Sequence, residues 1–119
     1  MNQFACKHRK NRTELLTEFV KNYYVICVLK DARTLVAKEE KDLYLNLSGN
    51  AAMAKGGSGD VLTGIIAGTL AQSADIFEGT CLAVYLHGLA GDVARDKNGN
   101  YSVLANDIVE SIGEVLKKL

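Results

Sequence analysis

Apolar residues recur at three- and four-residue intervals in four stretches of the chain and form short continuous or alternating runs in three others. Residues 13–22, TELLTEFVKN, put Leu15, Leu16, Phe19 and Val20 at helical spacing, with Thr13 as the candidate N-cap. YYVICVLK, residues 23–30, is a short apolar run rich in β-branched and aromatic residues. It predicts a strand buried on both faces, as in a parallel sheet. TLVA (34–37) and LYLNL (43–47) predict two further strands, joined by a surface hairpin at KEEKD, and SGN at 48–50 breaks the pattern.

Beyond a glycine-rich turn, residues 61–73 predict a helix with two faces. Val61, Leu62, Ile65, Ile66 and Leu70 line one; Gly64, Ala67, Gly68 and Ala71 line the other. A glycine inside a helix costs up to ~1 kcal/mol against alanine, so two on one face predict close packing onto a neighbour. Residues 76–96 predict a second helix with Leu82, Tyr85, Leu86, Leu89 and Val93 inward. KNGNY at 97–101 is a turn. The last helix starts with Asn106 as candidate N-cap and carries Ile108, Ile112, Val115, Leu116 and Leu119 as its stripe, with Lys117 and Lys118 suiting its C-terminus. The order is one helix, three strands, then three helices, with no repeat or linker, and the class is α/β.

Composition narrows the function classes. The 119 residues suit one domain, and 48% hydrophobic with 24% charged is globular. Fourteen basic and fourteen acidic residues cancel, which gives no basic surface for nucleic acid or an anionic membrane. The basic cluster 7–12 and the mixed stretch 38–42 are expected to be solvated surface. Cys6, Cys27 and Cys81 are scattered, with no CxxC and no Cys/His cluster. No metal site is expected, and the free thiols suit a reducing compartment. No apolar leader stands at the N-terminus, and no run reaches the roughly 18 residues of a membrane span. A cytoplasmic location is expected.

The chemistry centres on GGSGD, residues 56–60. Backbone N–H groups of a glycine turn opening a helix make an anion site, and glycine admits a phosphate without Cβ clashes. Asp60 then sits in the first helical turn. There it serves either as a base on an attacking hydroxyl or simply as a favourable acid on the helix dipole, and the short motif alone leaves both open. The sequence lacks the Gly-Lys-Ser/Thr end of a Walker A loop, and Leu62 stands where GxGxxG needs its third glycine. KDART, residues 30–34, follows a strand at its C-terminal end, where ligands of α/β sheets bind. Lys30 and Arg33 could reach phosphates, or the segment is an ordinary charged connection. Asn46, Ser48 and Asn50 precede the glycine loop in good turn chemistry. His87, beside Gly88 and Gly91, reads as a packed histidine at a helix contact; Asp92 and Asp96 read as solvated.

Taken together, VLKxAxT (28–34), NxSGNxxMAxGGSGDVLTGIIAGxLAQ (46–72), CLAVYLHGLAGD (81–92) and LANDI (104–108) resemble the ADP/ATP-dependent NAD(P)H-hydrate dehydratases of the ribokinase-like superfamily. The resemblance runs from about residue 10 to the end and is most specific over 48–72. It implies a partial ribokinase-like three-layer α/β/α fold, a short sheet followed by three helices, with residues 1–119 forming the C-terminal portion of the dehydratase domain. The family's preceding βα units, and a histidine loop on the hydrated nicotinamide, have no counterpart in this sequence.

The implied reaction is a hydro-lyase repair of nicotinamide cofactors. (6S)-NADHX or NADPHX is phosphorylated on its ring hydroxyl by ADP or ATP, with Mg2+, and loses phosphate to give NADH or NADPH. By motif matching, Asp60 falls on the base and touches the substrate together with Asn50. Gly57, Ser58 and Gly59 fall on the anion hole. Lys30, Asp31, Ala32, Arg33 and Thr34 fall on the nucleotide segment. This agrees with the general logic of phosphoryl transfer, in which an acid activates the hydroxyl while backbone dipoles hold the transferring group. Asp31 replaces the family's usual glycine, Ala51 its proline, and Lys55 a small or hydroxylated residue. A kinase of a small hydroxylated metabolite and an inactive fragment retaining the nucleotide loop are the alternatives. Half a sheet exposes an edge and an apolar face, so a homo-oligomer or a marginally stable chain is expected.

Overall fold

The computed structural model describes residues 11–30, 33–50, 53, 57–99 and 104–117. Helix α1 (Arg12–Tyr23) leads into β1 (Cys27–Leu29), β2 (Leu35–Ala37) and β3 (Tyr44–Leu45), followed by α2 (Ser58–Leu70), α3 (Ile76–Asn98) and α4 (Ala105–Lys117). The α/β class and the element order are as the sequence predicts.

The sheet of the described residues has the order β1-β2-β3 and is antiparallel throughout, with Val28 opposite Val36 and Val36 opposite Tyr44. This corrects the expected parallel strand over 23–30. Only three of those residues are strand, all half-buried. Tyr23 ends α1, and Tyr24, at φ 54°, is its left-handed C-cap and lies exposed. The apolar run looked long because two aromatic residues of the helix end abut the strand.

Strand alternation builds three layers. Leu35 and Ala37 face α1, where they pack with Leu16 and Val20. Val36, fully buried, faces the opposite way onto Leu62 of α2 and Val84 of α3. Burial of that one side chain stabilises the fold by about 1.5–2 kcal/mol. Behind this layer α3 and α4 share a second cluster of Leu86, Ala90, Ala94, Ile108 and Val115.

Four local expectations change. Helix α1 is capped by Asn11, whose Oδ1 accepts from the Glu14 amide at 2.8 Å, two residues ahead of Thr13; Asn is as good a cap as Thr. Helix α2 begins at Ser58, inside the glycine turn, rather than at 61. Asn106 lies inside α4 and bonds Glu110, while Asp107 accepts from the Leu104 amide at 2.8 Å and so closes the helix start. The buried face of α3 carries Leu86, with Leu89 and Val93 packed beside it, but also Gly79, Ala83, Gly88, Ala90, Gly91 and Ala94, whereas Leu82 and Tyr85 are exposed. Hydrophobic periodicity weights large side chains, but here close approach of neighbouring backbone selects the small ones.

Gly64 and Gly68 overturn another expectation. Among the described residues nothing lies within 4 Å of a Cβ built at either, and both are exposed. Their face of α2 is open. A cavity of about 610 Å³ also lies open between the lead-in to β1, the 38–40 turn and the far end of α2, lined by Val25, Ile26, Ile66, Leu70 and Ile76 among others.

Candidate functional site

Helix α2 starts at an abrupt turn. Gly57 occupies its N-cap at φ 91°, a left-handed conformation that side chains strain to adopt, and it contributes no side-chain cap. A Cβ there would also press on the Ala105 side chain at 3.1 Å, so the LANDI segment stands directly against the turn. Ser58, Gly59 and Asp60 make up the first three helical positions, whose amide hydrogens have no partner within the helix. The positive end of the dipole and those amides together favour an anion. Asp60, at the third position, is exposed.

Lys30 reaches the same place from the end of β1. A Cβ on Gly59 would lie 3.2 Å from the Lys30 Nζ, so the glycine admits the ammonium group to the helix start. Ser58, by contrast, is buried.

The other residues expected to bind nucleotide are distributed differently. The Arg33 guanidinium donates to the Leu47 carbonyl at 3.3 Å, and the Arg33 carbonyl accepts from Arg12 at 3.0 Å. The Thr34 carbonyl accepts from the Asn46 amide at 2.9 Å and so anchors the next segment. Asp31 and Ala32 lie outside the described residues.

Residues 46–50 form a strap laid along α3. Asn46, buried, accepts from Tyr44 Oη at 3.0 Å and from Ser48 Oγ at 3.2 Å. The one Ser48 hydroxyl hydrogen is shared with the Tyr85 carbonyl, the nearer acceptor at 2.9 Å. Asp92 accepts from the Gly49 amide at 3.1 Å and from the Asn50 side-chain amide at 2.7 Å. The expectation that Asp92 is solvated is therefore corrected: the strap's two donors draw it inward. The Asn50 amide, expected at the substrate, is held by Asp92. Gly88 and Gly91 make this approach possible. A Cβ at Gly88 would overlap Ser48 Oγ and come within 2.7 Å of the Ser48 carbonyl carbon; one at Gly91 would run into the Met53 side chain.

His87, on the same helix, turns to the glycine loop. Its Nε2 lies 3.1 Å from the Ser58 carbonyl oxygen and 3.4 Å from Ser58 Oγ. The ring is buried, as expected of a packed histidine. Burial, aided by the nearby Lys30 charge, holds its pKa down at about 4, so it is neutral at physiological pH. Sequence reasoning missed what Asp92 holds and the link from His87 to the loop. The available signal was Gly88 and Gly91, two glycines in a helix interior that mark a close approach.

Burial raises both described thiols, Cys27 and, to about 11, Cys81, so both stay protonated. Among the described residues no group of three His, Cys, Asp or Glu side chains could hold a metal ion, and no helix is long and apolar enough to cross a membrane.

The chain is similar to proteins named for one activity. The sequence model of the NAD(P)H-hydrate dehydratase family matches residues 1–114. The chain is 38% identical over 115 residues to the bifunctional NAD(P)H-hydrate repair enzyme of Moorella thermoacetica, covering 97% of this chain and 22% of that protein. It is 36% identical over 110 residues to the ADP-dependent (S)-NAD(P)H-hydrate dehydratase of Bacillus subtilis, covering 92% of this chain and 40% of that one. Its fold superposes with a TM-score of 0.87 on the Bacillus subtilis ADP/ATP-dependent dehydratase co-crystallised with ATP/Mg2+, at 35% identity over 92% of this chain and 41% of that chain. A ribokinase-like superfamily protein of Enterococcus faecalis gives 0.80. The chain thus spans well under half of these relatives' length, with a ribokinase-like α/β architecture, and it belongs to the NAD(P)H-hydrate dehydratase family.

Proposed function

We propose that this chain carries the phosphoryl-transfer part of an NAD(P)H-hydrate dehydratase acting on (6S)-NADHX and NADPHX. The observation behind this reading is the meeting of three groups at the start of α2: uncapped amides at Gly57–Gly59, the Lys30 ammonium beside Gly59, and the exposed carboxylate of Asp60. Amides and ammonium suit the transferring phosphoryl group. A carboxylate in such a place repels phosphate and suits the attacking hydroxyl instead.

In this reading Asp60 takes the proton of the ring hydroxyl, whose oxygen attacks the terminal phosphorus of ADP or ATP. The phosphorus–oxygen bond to the leaving nucleotide breaks, releasing AMP or ADP. The carbon–oxygen bond then breaks, inorganic phosphate departs, the neighbouring ring carbon loses a proton, and the ring double bond returns. Magnesium would arrive on the nucleotide phosphates and neutralise their charge, since the described residues offer no carboxylate cluster to hold it. Asp31, Ala32, Arg33 and Thr34 would complete the nucleotide segment, and Asn50, through the strap, the substrate side. The free thiols of Cys27 and Cys81 are consistent with work in the reducing cytoplasm. Among the described residues β1 lies at the sheet edge, and this edge with the exposed Val25 and Ile76 beside the cavity supports self-association of the chain.

Calorimetric titration of the purified chain with ADP and Mg2+ tests the binding step. Saturable binding that Lys30→Ala weakens at least about tenfold is expected. No binding of ADP or ATP contradicts the reading.

A further inference from the structure

We infer that His87 is a positioning residue for the anion-binding turn: its Nε2–H holds the Ser58 carbonyl and so fixes the direction of the Gly57–Asp60 amides. The inference rests on the proposed role of that turn.

The geometry specifies the donor. The Ser58 carbonyl oxygen, 3.1 Å from Nε2, can only accept, so Nε2 carries the hydrogen and Nδ1 carries none. Ser58 Oγ, 3.4 Å from the same nitrogen, is a long secondary neighbour. The bond crosses from the middle of α3 to the first residue of α2, 29 positions apart, and is buried. The turn needs such an external tether. Gly57 has no side chain with which to cap the helix, and Gly57 and Gly59 give the backbone on either side of Ser58 the freedom that makes an anion site easy to misalign. An anion hole works only when its donors are already aimed.

The chemistry of the tether also matters. Lys30 faces the turn from the end of β1 and already supplies a positive charge at Gly59. A second cation behind Ser58 would draw an anion off that axis. A neutral imidazole orients the carbonyl without adding charge, and His87 is buried on the same face of α3 as Gly88 and Gly91. That face therefore serves both loops: Gly88 and Asp92 seat the 46–50 strap, and His87 seats the glycine turn.

The test compares His87→Leu, which removes the donor, with His87→Gln, whose amide can restore it. ADP affinity with Mg2+ is expected to fall at least about tenfold in the leucine variant and to recover to within about threefold of wild type in the glutamine variant. Nitrogen NMR of the wild-type ring is expected to show the Nε2–H form at neutral pH, and the amide signals of Gly57–Asp60 are expected to move in the leucine but not the glutamine variant. Should His87→Leu fail to fold, His87→Asn, whose shorter amide stops short of the carbonyl, takes its place. Unchanged ADP affinity in the donor-less variant overturns the inference alone, as does an Nδ1–H ring. Loss of ADP binding by the wild type overturns the functional reading instead, and the ring tautomer and amide signals then still decide whether His87 positions the turn.

Discussion

Substituting alanine for glycine at positions in two helices should change stability in opposite directions, which makes the set a strong check on how α3 seats its loops. At Gly88 a methyl group would lie 2.7 Å from the Ser48 carbonyl carbon and 2.8 Å from Ser48 Cβ. Carbon atoms prefer roughly 3.5–4 Å, so the strap must retreat by about 1 Å. That retreat carries the 2.9 Å bond from Ser48 to the Tyr85 carbonyl beyond useful length and stretches both bonds to Asp92. The neutral bond is worth about 1 kcal/mol and those to the carboxylate about 1.5–3 kcal/mol. Alanine's better helix propensity offsets about 1 kcal/mol. The net expectation for Gly88→Ala is a loss of about 2–4 kcal/mol, or a melting temperature lower by roughly 10 °C in a domain of this size. Gly64→Ala and Gly68→Ala meet nothing within 4 Å and should each add up to about 1 kcal/mol. Urea and thermal unfolding followed by circular dichroism measure all three. A Gly88→Ala variant as stable as wild type would refute the seating of the strap on α3. A destabilised Gly64→Ala would mean that the open face of α2 is covered in solution.

Other outcomes follow from the same packing. His87 has a folded pKa of about 4 against an ordinary 6.5, so the unfolded chain binds its proton first and stability falls as pH drops through that window. From pH 7 to pH 5 the loss assigned to His87 is about 2 kcal/mol, and His87→Gln should remove that part of the slope in urea unfolding at each pH. Asp92→Ala leaves the Gly49 and Asn50 donors without their acceptor and should cost about 2 kcal/mol by the same assay, with Asp96→Ala, on an exposed residue, nearly neutral. Sedimentation equilibrium should give a mass above the 12.9 kDa of one chain; a monomer with a high melting temperature contradicts self-association.

Much of this organisation was legible in the sequence, for reasons that also explain the failures. Helices carrying large apolar residues at regular spacing were placed to within a few residues, because that spacing reports a face that must be buried. The stripe of α3 was placed rightly at Leu86, Leu89 and Val93 and wrongly at Leu82 and Tyr85, because much of its inner face is glycine and alanine, which periodicity hardly weighs. The glycine signal was read at Gly64 and Gly68, where no described atom presses in, and passed over at Gly88 and Gly91, where the strap and Met53 do. One sequence cannot say which glycines have a neighbour, since that neighbour lies elsewhere in the chain or outside it. The strand over 23–30 was misread because no local pattern separates the aromatic end of a helix from the strand beyond it. At the site, Asp60 and its glycines were legible as a motif, whereas the tether from His87 and the clamp of Asp92 depend on contacts 29 and 43 residues apart.

The most direct test of the central claim is recovery of reduced-nicotinamide absorbance from (6S)-NADPHX with ADP and Mg2+, comparing the chain with its Asp60→Asn variant. ADP-dependent recovery by wild type is expected, with AMP and inorganic phosphate released in equal amounts, and a loss of several orders of magnitude in the variant while its melting temperature stays within a few degrees. Equal rates in the two proteins would contradict the assignment of Asp60 as the base, and a stable phosphorylated product in place of NADPH would make the site that of a kinase.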